Sequence, residues 1–357
     1  MTNPYRSQAD YCFWSRSVTW CPPGRLDPVT TATLIGATEK VATLGSCFAQ
    51  HISRHLKKSG LNYFVAETAP AEMSEKEAAS RNYDVFSARY GNVYTVRQAL
   101  QLLARATGEF QPEEDVWRSG EHFVDPFRPA IEPQGFASAE AVRASARLHL
   151  QQVRRLFEET DLVVFTLGLT EAWRSKHDGA VFPLAPGVSG GQFDADIHER
   201  VNFSTSEVID DLKQFIARLT QMNPSVRIIL TVSPVPLIAT HENRHVVVST
   251  SHSKAVLRAA AGEVEQDFAN VYYFPSYEII TSPHSQGRYF KEDLRSVSDV
   301  GVSHVMRVFS RHFIGGEAHA QHSASEHPLS GSIVGDQNIV CDEEEIERAL
   351  RATGFQK

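Results

Sequence analysis

Four cysteines in 357 residues, Cys12, Cys21, Cys47 and Cys341, include no Cys-x-x-Cys pair, which argues against both a disulfide framework and a zinc knuckle. No long basic run occurs and the formal net charge is −8, so nucleic acid and anionic membrane are poor electrostatic partners. No apolar run approaches the ~20 residues that span a bilayer. The first residues, MTNPYRSQADYCFW, lack the apolar core of a signal peptide. The expectation is a cytoplasmic protein with reduced thiols, no membrane or nucleic-acid partner and no cofactor. Nothing in the composition sets an oligomeric state.

What is present is a 42% hydrophobic chain, enough for one large α/β domain. Val41–Gln50, VATLGSCFAQ, organises the rest. An apolar run ends in Gly45-Ser46-Cys47, and Phe48, Ile52 and Leu56 then recur four apart, the spacing of one helical face. Strand, sharp turn and helix follow from this pattern. Ser46 and Cys47 then lie where a strand ends and free helix N–H groups gather. A hydroxyl or thiol placed there can attack a carbonyl while N–H groups hold the oxyanion. The bland alternative is a Gly-Ser turn that caps a helix.

The remaining pattern alternates. Further strands are expected at Leu61–Glu67, Asp161–Leu167, Val226–Val232 and Val271–Phe274. Helices are expected at about 47–59, 97–105, 138–159 (N-cap Ser138), after the capping box Ser204-x-x-Glu207, at 253–268 and at about 300–313. This order predicts a three-layer α/β/α fold on a parallel sheet over 41–314, with irregular excursions at 109–137 and 172–203. Residues 1–40 read as an arm, 315–340 as a flexible linker and 341–357 as a helical appendage, its helix at Asp342–Ala352 able to dock on the core or on a partner. In such sheets ligands sit beyond the carboxyl ends of the strands. Ser46, Cys47, Thr170, Glu171, Ser233 and a loop with His241 and His245 all follow expected strands.

Gly45-Ser46-Cys47-Phe48-Ala49 resembles the motif that names the GSCFA family, a branch of the SGNH/GDSL-like hydrolase superfamily. The resemblance runs from Asn3-Pro4-Tyr5-Arg6 to about Phe313. It takes in Arg89–Thr95 (RYGNVYT), Thr166–Trp173 (TLGLTEAW), Ser233-Pro234-Val235-Pro236 and Phe274–Glu278 (FPSYE). It implies ester chemistry with Ser46 as nucleophile, its own N–H and that of Gly91 in the oxyanion hole, and Asn92 as a possible further donor. The superfamily's third block is Gly-x-Asn-Asp; here it reads Gly168-Leu169-Thr170-Glu171, so Thr170 stands for the asparagine donor and Glu171 for the acid. Its fourth block, Asp-x-x-His, falls on Asp293-Leu294-Arg295-Ser296, which puts a serine where the base belongs. A serine cannot serve as general base near neutral pH.

The replacement base is sought among fifteen histidines. His245 is the first candidate, with Glu171 orienting its ring; His198 and His241 are alternatives, and His304 is read as packed or solvated. Cys47 is an alternative nucleophile, or a small residue packed under the turn. Trp173, Phe127 and Tyr94 could line a sugar cleft or serve as core. His51 and His55 have the i, i+4 spacing of metal ligands, but no partnering Glu or third ligand is evident, so no metal is expected. The reading is a Ser46 ester hydrolase or O-acyltransferase acting on a small-molecule or glycan ester. The alternative is a non-catalytic carbohydrate- or acyl-binding module.

Overall fold

A computed structural model describes residues 3–22, 24–314 and 339–352 of the chain. After an arm containing the short helix α1 (Trp14–Ser17), the core begins with β1 (Val41–Gly45) and α2 (Ala49–Lys58). Next come α3 (Glu75–Ser80), α4 (Val96–Thr107) and a hairpin of β2 (Trp117–Ser119) and β3 (His122–Val124). Helix α5 (Ala139–Glu159) leads into β4 (Leu162–Leu167). A side sheet of β5 (Glu171–Ser175), β6 (Val181–Phe182) and β7 (His198–Asn202) follows, then α6 (Thr205–Met222) and β8 (Arg227–Val232). The core closes with α7 (Val246–Asp267), β9 (Val271–Tyr273), α8 (Ser276–Thr281) and α9 (Asp299–Phe313), and the described chain ends in α10 (Glu344–Ala352).

The main sheet is parallel throughout, in the order β1-β4-β8-β9. Alternate side chains of a strand face opposite ways, and the burial follows that rule. Val163, Phe165 and Leu167 pack with α4, α5, α6 and α7, whereas Leu162 and Val164 pack with α2, α8 and α9. This is the expected three-layer α/β/α arrangement. Ser138 and Ser204 cap their helices as read, the latter in a full capping box. Register aligns Gly45 with Thr166 and Thr166 with Thr231, so β1, β4 and β8 end side by side. Ser46, Gly168 and Ser233 therefore leave the sheet together.

Three expectations are corrected. Leu61–Glu67 forms no strand: Tyr63 makes a single bridge to Val41, and Ala66 turns away to the Ser87 carbonyl. The edge of β1 is satisfied instead by Ser87, whose hydroxyl accepts the Thr43 N–H. Residues 172–203 are not simply a loop; they hold the three-stranded antiparallel side sheet, whose strands are too short to show a period. Helix α7 starts at Val246 rather than Ser253, which makes His245 its N-cap. Most of the expected 315–340 linker lies outside the described residues. Among the described residues no helix is long and apolar enough to cross a membrane, and no group of three or more His, Cys, Asp or Glu is arranged to hold a metal.

Candidate active site

The turn after β1 is possible only with glycine. Gly45 has φ +127°, and a Cβ there would lie 2.1 Å from the Thr166 carbonyl oxygen. The chain stays on the ladder for one more residue, since the Ser46 N–H donates to that same oxygen at 3.1 Å. It then closes tight turns, with Ser46 and Cys47 carbonyls accepting from Ala49 and Gln50 at the head of α2. The Ser46 hydroxyl is buried and has no hydrogen-bond partner among the described residues. A buried hydroxyl left unpaired costs free energy, so it marks a place reserved for something else.

Gly168, at the end of β4, packs directly on this serine; a Cβ on it would fall 2.9 Å from Ser46 Cβ and from the Tyr94 carbonyl. The Gly168 carbonyl accepts from Lys254 Nζ at 2.7 Å. Lys254 comes from the buried face of α7 and is 1% exposed. Burial drives its pKa down to about 8, with Arg295 adding to the fall and Glu343 and Cys47 opposing it. A lysine in that range carries a usable fraction of free amine near neutral pH. It is a candidate that histidine-centred reasoning overlooked. Its signal was a lysine on the apolar stripe of a helix, between Ser253 and Val256.

The structure does not bring His245 to Ser46. His245 is exposed, and its Nδ1 accepts the Val247 N–H as a helix cap. Among the described residues Glu171 meets no imidazole; its carboxylate accepts from the Thr240 hydroxyl and the His241 backbone N–H. The His241 ring packs edge-on against Trp173 at 4.8 Å. His198 is buried with both ring nitrogens engaged, by Glu114 at 2.8 Å and the Asp194 N–H at 3.1 Å. His304 likewise bonds Tyr289 and the Leu26 carbonyl. Of the metal-spaced pair, His51 packs on Phe48 with its pKa lowered to about 4 by burial, and His55 bonds the Ser310 hydroxyl.

The oxyanion donors fare unevenly. The Ser46 N–H is engaged by Thr166, as above. Thr170 is engaged twice, its hydroxyl donating to Asn202 at 2.7 Å and its N–H to Ser253 at 3.0 Å. Asn92, beside Gly91, faces the site and donates through Nδ2 to the Val340 carbonyl and to Asp342, each at 3.0 Å. Cys47 donates to Cys341, which with burial holds its thiol protonated and argues against a thiolate at this position. Tyr94 also faces the site, whereas Phe127 stacks on Phe182 in a separate side cluster.

A model of the GSCFA family matches residues 40–309, three quarters of the chain. The chain belongs to the GSCFA family. No curated protein matches it. Among solved structures, it is similar to a carbohydrate esterase family 2 enzyme with a carbohydrate-binding domain from Corynascus thermopiles (13% identity, TM-score 0.29, covering 79% of this chain and 67% of that one). It is also similar to a salicylyl-acyltransferase of a tetracycline biosynthetic pathway (15%, 0.26, 58% and 54%) and to an acetyl xylan esterase from the rumen bacterium Butyrivibrio proteoclasticus (11%, 0.29, 78% and 65%). The chain spans about two thirds or less of each of these proteins.

In this GSCFA chain the Asp293–Ser296 stretch is a local turn. The Asp293 carboxylate accepts the Arg295 and Ser296 N–H groups and the Ser296 hydroxyl. The residue it sends to the site is Arg295, whose Nε donates to the Pro236 carbonyl at 3.1 Å and whose Nη2 meets Glu343 at 2.9 Å.

Proposed function

We propose that this GSCFA chain is a serine ester hydrolase or O-acyltransferase, with Ser46 as nucleophile and Lys254 as its proton acceptor, acting on a small-molecule or glycan ester. One observation carries the reading: a buried, unpartnered hydroxyl on a strand-to-helix turn packs on the glycine whose carbonyl holds a buried amine. Ser46 Oγ attacks the acyl carbonyl as its proton passes to the free amine of Lys254. The departing alkoxide takes that proton as the ester C–O bond breaks. Water or an acceptor hydroxyl then attacks the Ser46 ester, giving up its proton to Lys254, and the acyl–Oγ bond breaks as Ser46 Oγ takes that proton back, which frees the acyl product and restores the free amine. Gly91 and Asn92 are the oxyanion donors of this scheme.

A second reading, a carbohydrate- or acyl-binding module, is favoured by a different observation: the Ser46 N–H is held by Thr166 and no described histidine bonds its hydroxyl. Incubation with a small fluorophosphonate, read by intact mass, separates the two. Covalent addition to Ser46, absent in Ser46→Ala, supports the enzyme; no addition under any condition supports the module.

A further inference from the structure

Residues 339–343 lie across the carboxyl end of the sheet. Val340 pairs with the Gln50 side chain in both directions, at 3.0 Å and 2.6 Å. The Asp342 carboxylate rests on Asn92, taking both its Nδ2 and its backbone N–H, and a Cβ on Gly91 would lie 3.9 Å from it. The Glu343 N–H donates to the Tyr94 hydroxyl at 3.3 Å, and the Glu343 carboxylate takes Arg295 Nη2. Asp342 and Glu343 are only 4% and 6% exposed.

Two adjacent buried carboxylates are costly unless strong donors await them. Among the described residues no cation pairs with Asp342; neutral N–H groups of Asn92 receive it, the kind of donor that stabilises a developing oxyanion. Glu343 sits on an arginine that is itself buried, and Lys254 also stabilises its charge. The stretch thus places one negative oxygen on the proposed oxyanion donors and a second on Arg295. A docked segment with no relation to the substrate has no reason to match both.

We propose that residues 340–343 occupy the substrate cleft as an intramolecular substrate mimic, and that Arg295 is the subsite for a carboxylate carried by the true substrate. This rests on Ser46 being the nucleophile. The substrate class is then an ester whose acyl chain or acceptor bears an anionic group a few bonds from the scissile carbonyl. The fork of Arg295 fits a carboxylate in two-point contact better than a hydroxyl. The segment competes with that substrate for the same donors, so the chain restrains its own activity until an anionic ester displaces it.

The test uses the full chain carrying Asp342→Asn and Glu343→Gln, which keep shape and remove charge. Losing charge-assisted bonds should raise the rate of Ser46 labelling by a fluorophosphonate by about tenfold or more. The same variant should prefer a 4-nitrophenyl hemiglutarate over the neutral butyrate, and adding Arg295→Gln should raise KM for the hemiglutarate by about tenfold. Equal labelling with and without the two substitutions, or no preference for the anionic ester, would overturn the proposal. Should the double variant fail to fold, Glu343→Gln alone carries the same comparison. If Ser46 is never labelled, the nucleophile assignment fails separately, and the subsite is read by calorimetry with glutarate. Glutarate binding to the double variant that Arg295→Gln removes upholds the subsite; no binding refutes it.

Discussion

Lys254 Nζ donates to the Gly168 carbonyl at 2.7 Å, and Gly168 lies so close to Ser46 that a methyl group between them has no room. If the amine is the proton acceptor, activity follows its titration. The free amine forms as pH rises through about 8, so kcat/KM should climb across that region and level off above it. Lys254→Arg keeps the charge but cannot deprotonate in this range, and should cost ~10²–10⁴ in turnover. A flat profile in the native protein, or an active arginine variant, would remove Lys254 from the chemistry.

His245 supplies the complementary measurement. As an exposed N-cap it stabilises α7 through one bond to Val247. His245→Ala should cost about 1 kcal/mol of stability and leave turnover within about twofold. A loss of ~10² or more with the fold intact would return the general-base role to His245 and require movement of the α7 amino terminus.

The contact between Cys47 and Cys341 gives a direct check on where residues 339–343 lie. The two thiols are hydrogen-bonded, with Cys341 drawn below its usual pKa by Cys47. Dipyridyl disulfide should oxidise this pair. The Cys341 thiolate attacks the reagent and releases one pyridinethione, leaving a mixed disulfide; Cys47 then attacks Cys341 Sγ, expels the second pyridinethione and joins Cys341. In a Cys12→Ser, Cys21→Ser background the intact mass should fall by two hydrogens, and the linked protein should resist Ser46 labelling until reduced. Mixed pyridyl adducts without a link would place the segment elsewhere.

Acid should unfold this protein early. His149 is fully buried against Glu67, and burial lowers its pKa to about 4. His304 is lowered to about 4 in the same way. The unfolded chain binds protons at these rings below about 6.5 while the folded chain refuses them down to about 4, so stability falls as pH drops through that window. Glu67 extends the loss. Burial raises its pKa, but the His149 hydrogen bond and nearby Arg128 outweigh this and lower it to about 2, so its stabilising charge is lost as pH falls from about 4.5 toward 2. His149→Gln should flatten the upper part of the pH–stability curve by about 2 kcal/mol, measured by urea unfolding at pH 7 and pH 5.

Gly45→Ala should be among the most damaging single changes. Its Cβ would strike the Thr166 carbonyl, which belongs to the central sheet and cannot move aside. A loss of about 4 kcal/mol or more is expected from the urea midpoint; a loss under about 1 kcal/mol would mean that the turn can be rebuilt.

The sequence by itself determined the layers, the main strands β1, β4, β8 and β9, and the turn that carries Ser46. Continuous apolar runs such as Asp161–Leu167, amphipathic helices such as α6 and the Ser204 capping box are local signals, and local signals survive folding unchanged. The fate of Leu61–Glu67 was decided in three dimensions, because the Ser87 hydroxyl took a ladder bond that a strand would have made. His245, Glu171 and Ser46 all follow strands, yet that rule places residues at one edge without saying which way each side chain points. Lys254 carries no motif of its own, and its role depends on α7 turning it inward onto Gly168. Arg295, Asp342 and Glu343 are further removed still, since Glu343 meets Arg295 and Asp342 meets Asn92 across more than forty residues of chain, through bonds that exist only in the folded structure. Periodicity records which face of an element is buried; which polar groups meet there depends on the packing of several elements at once, and only the tertiary structure holds that information.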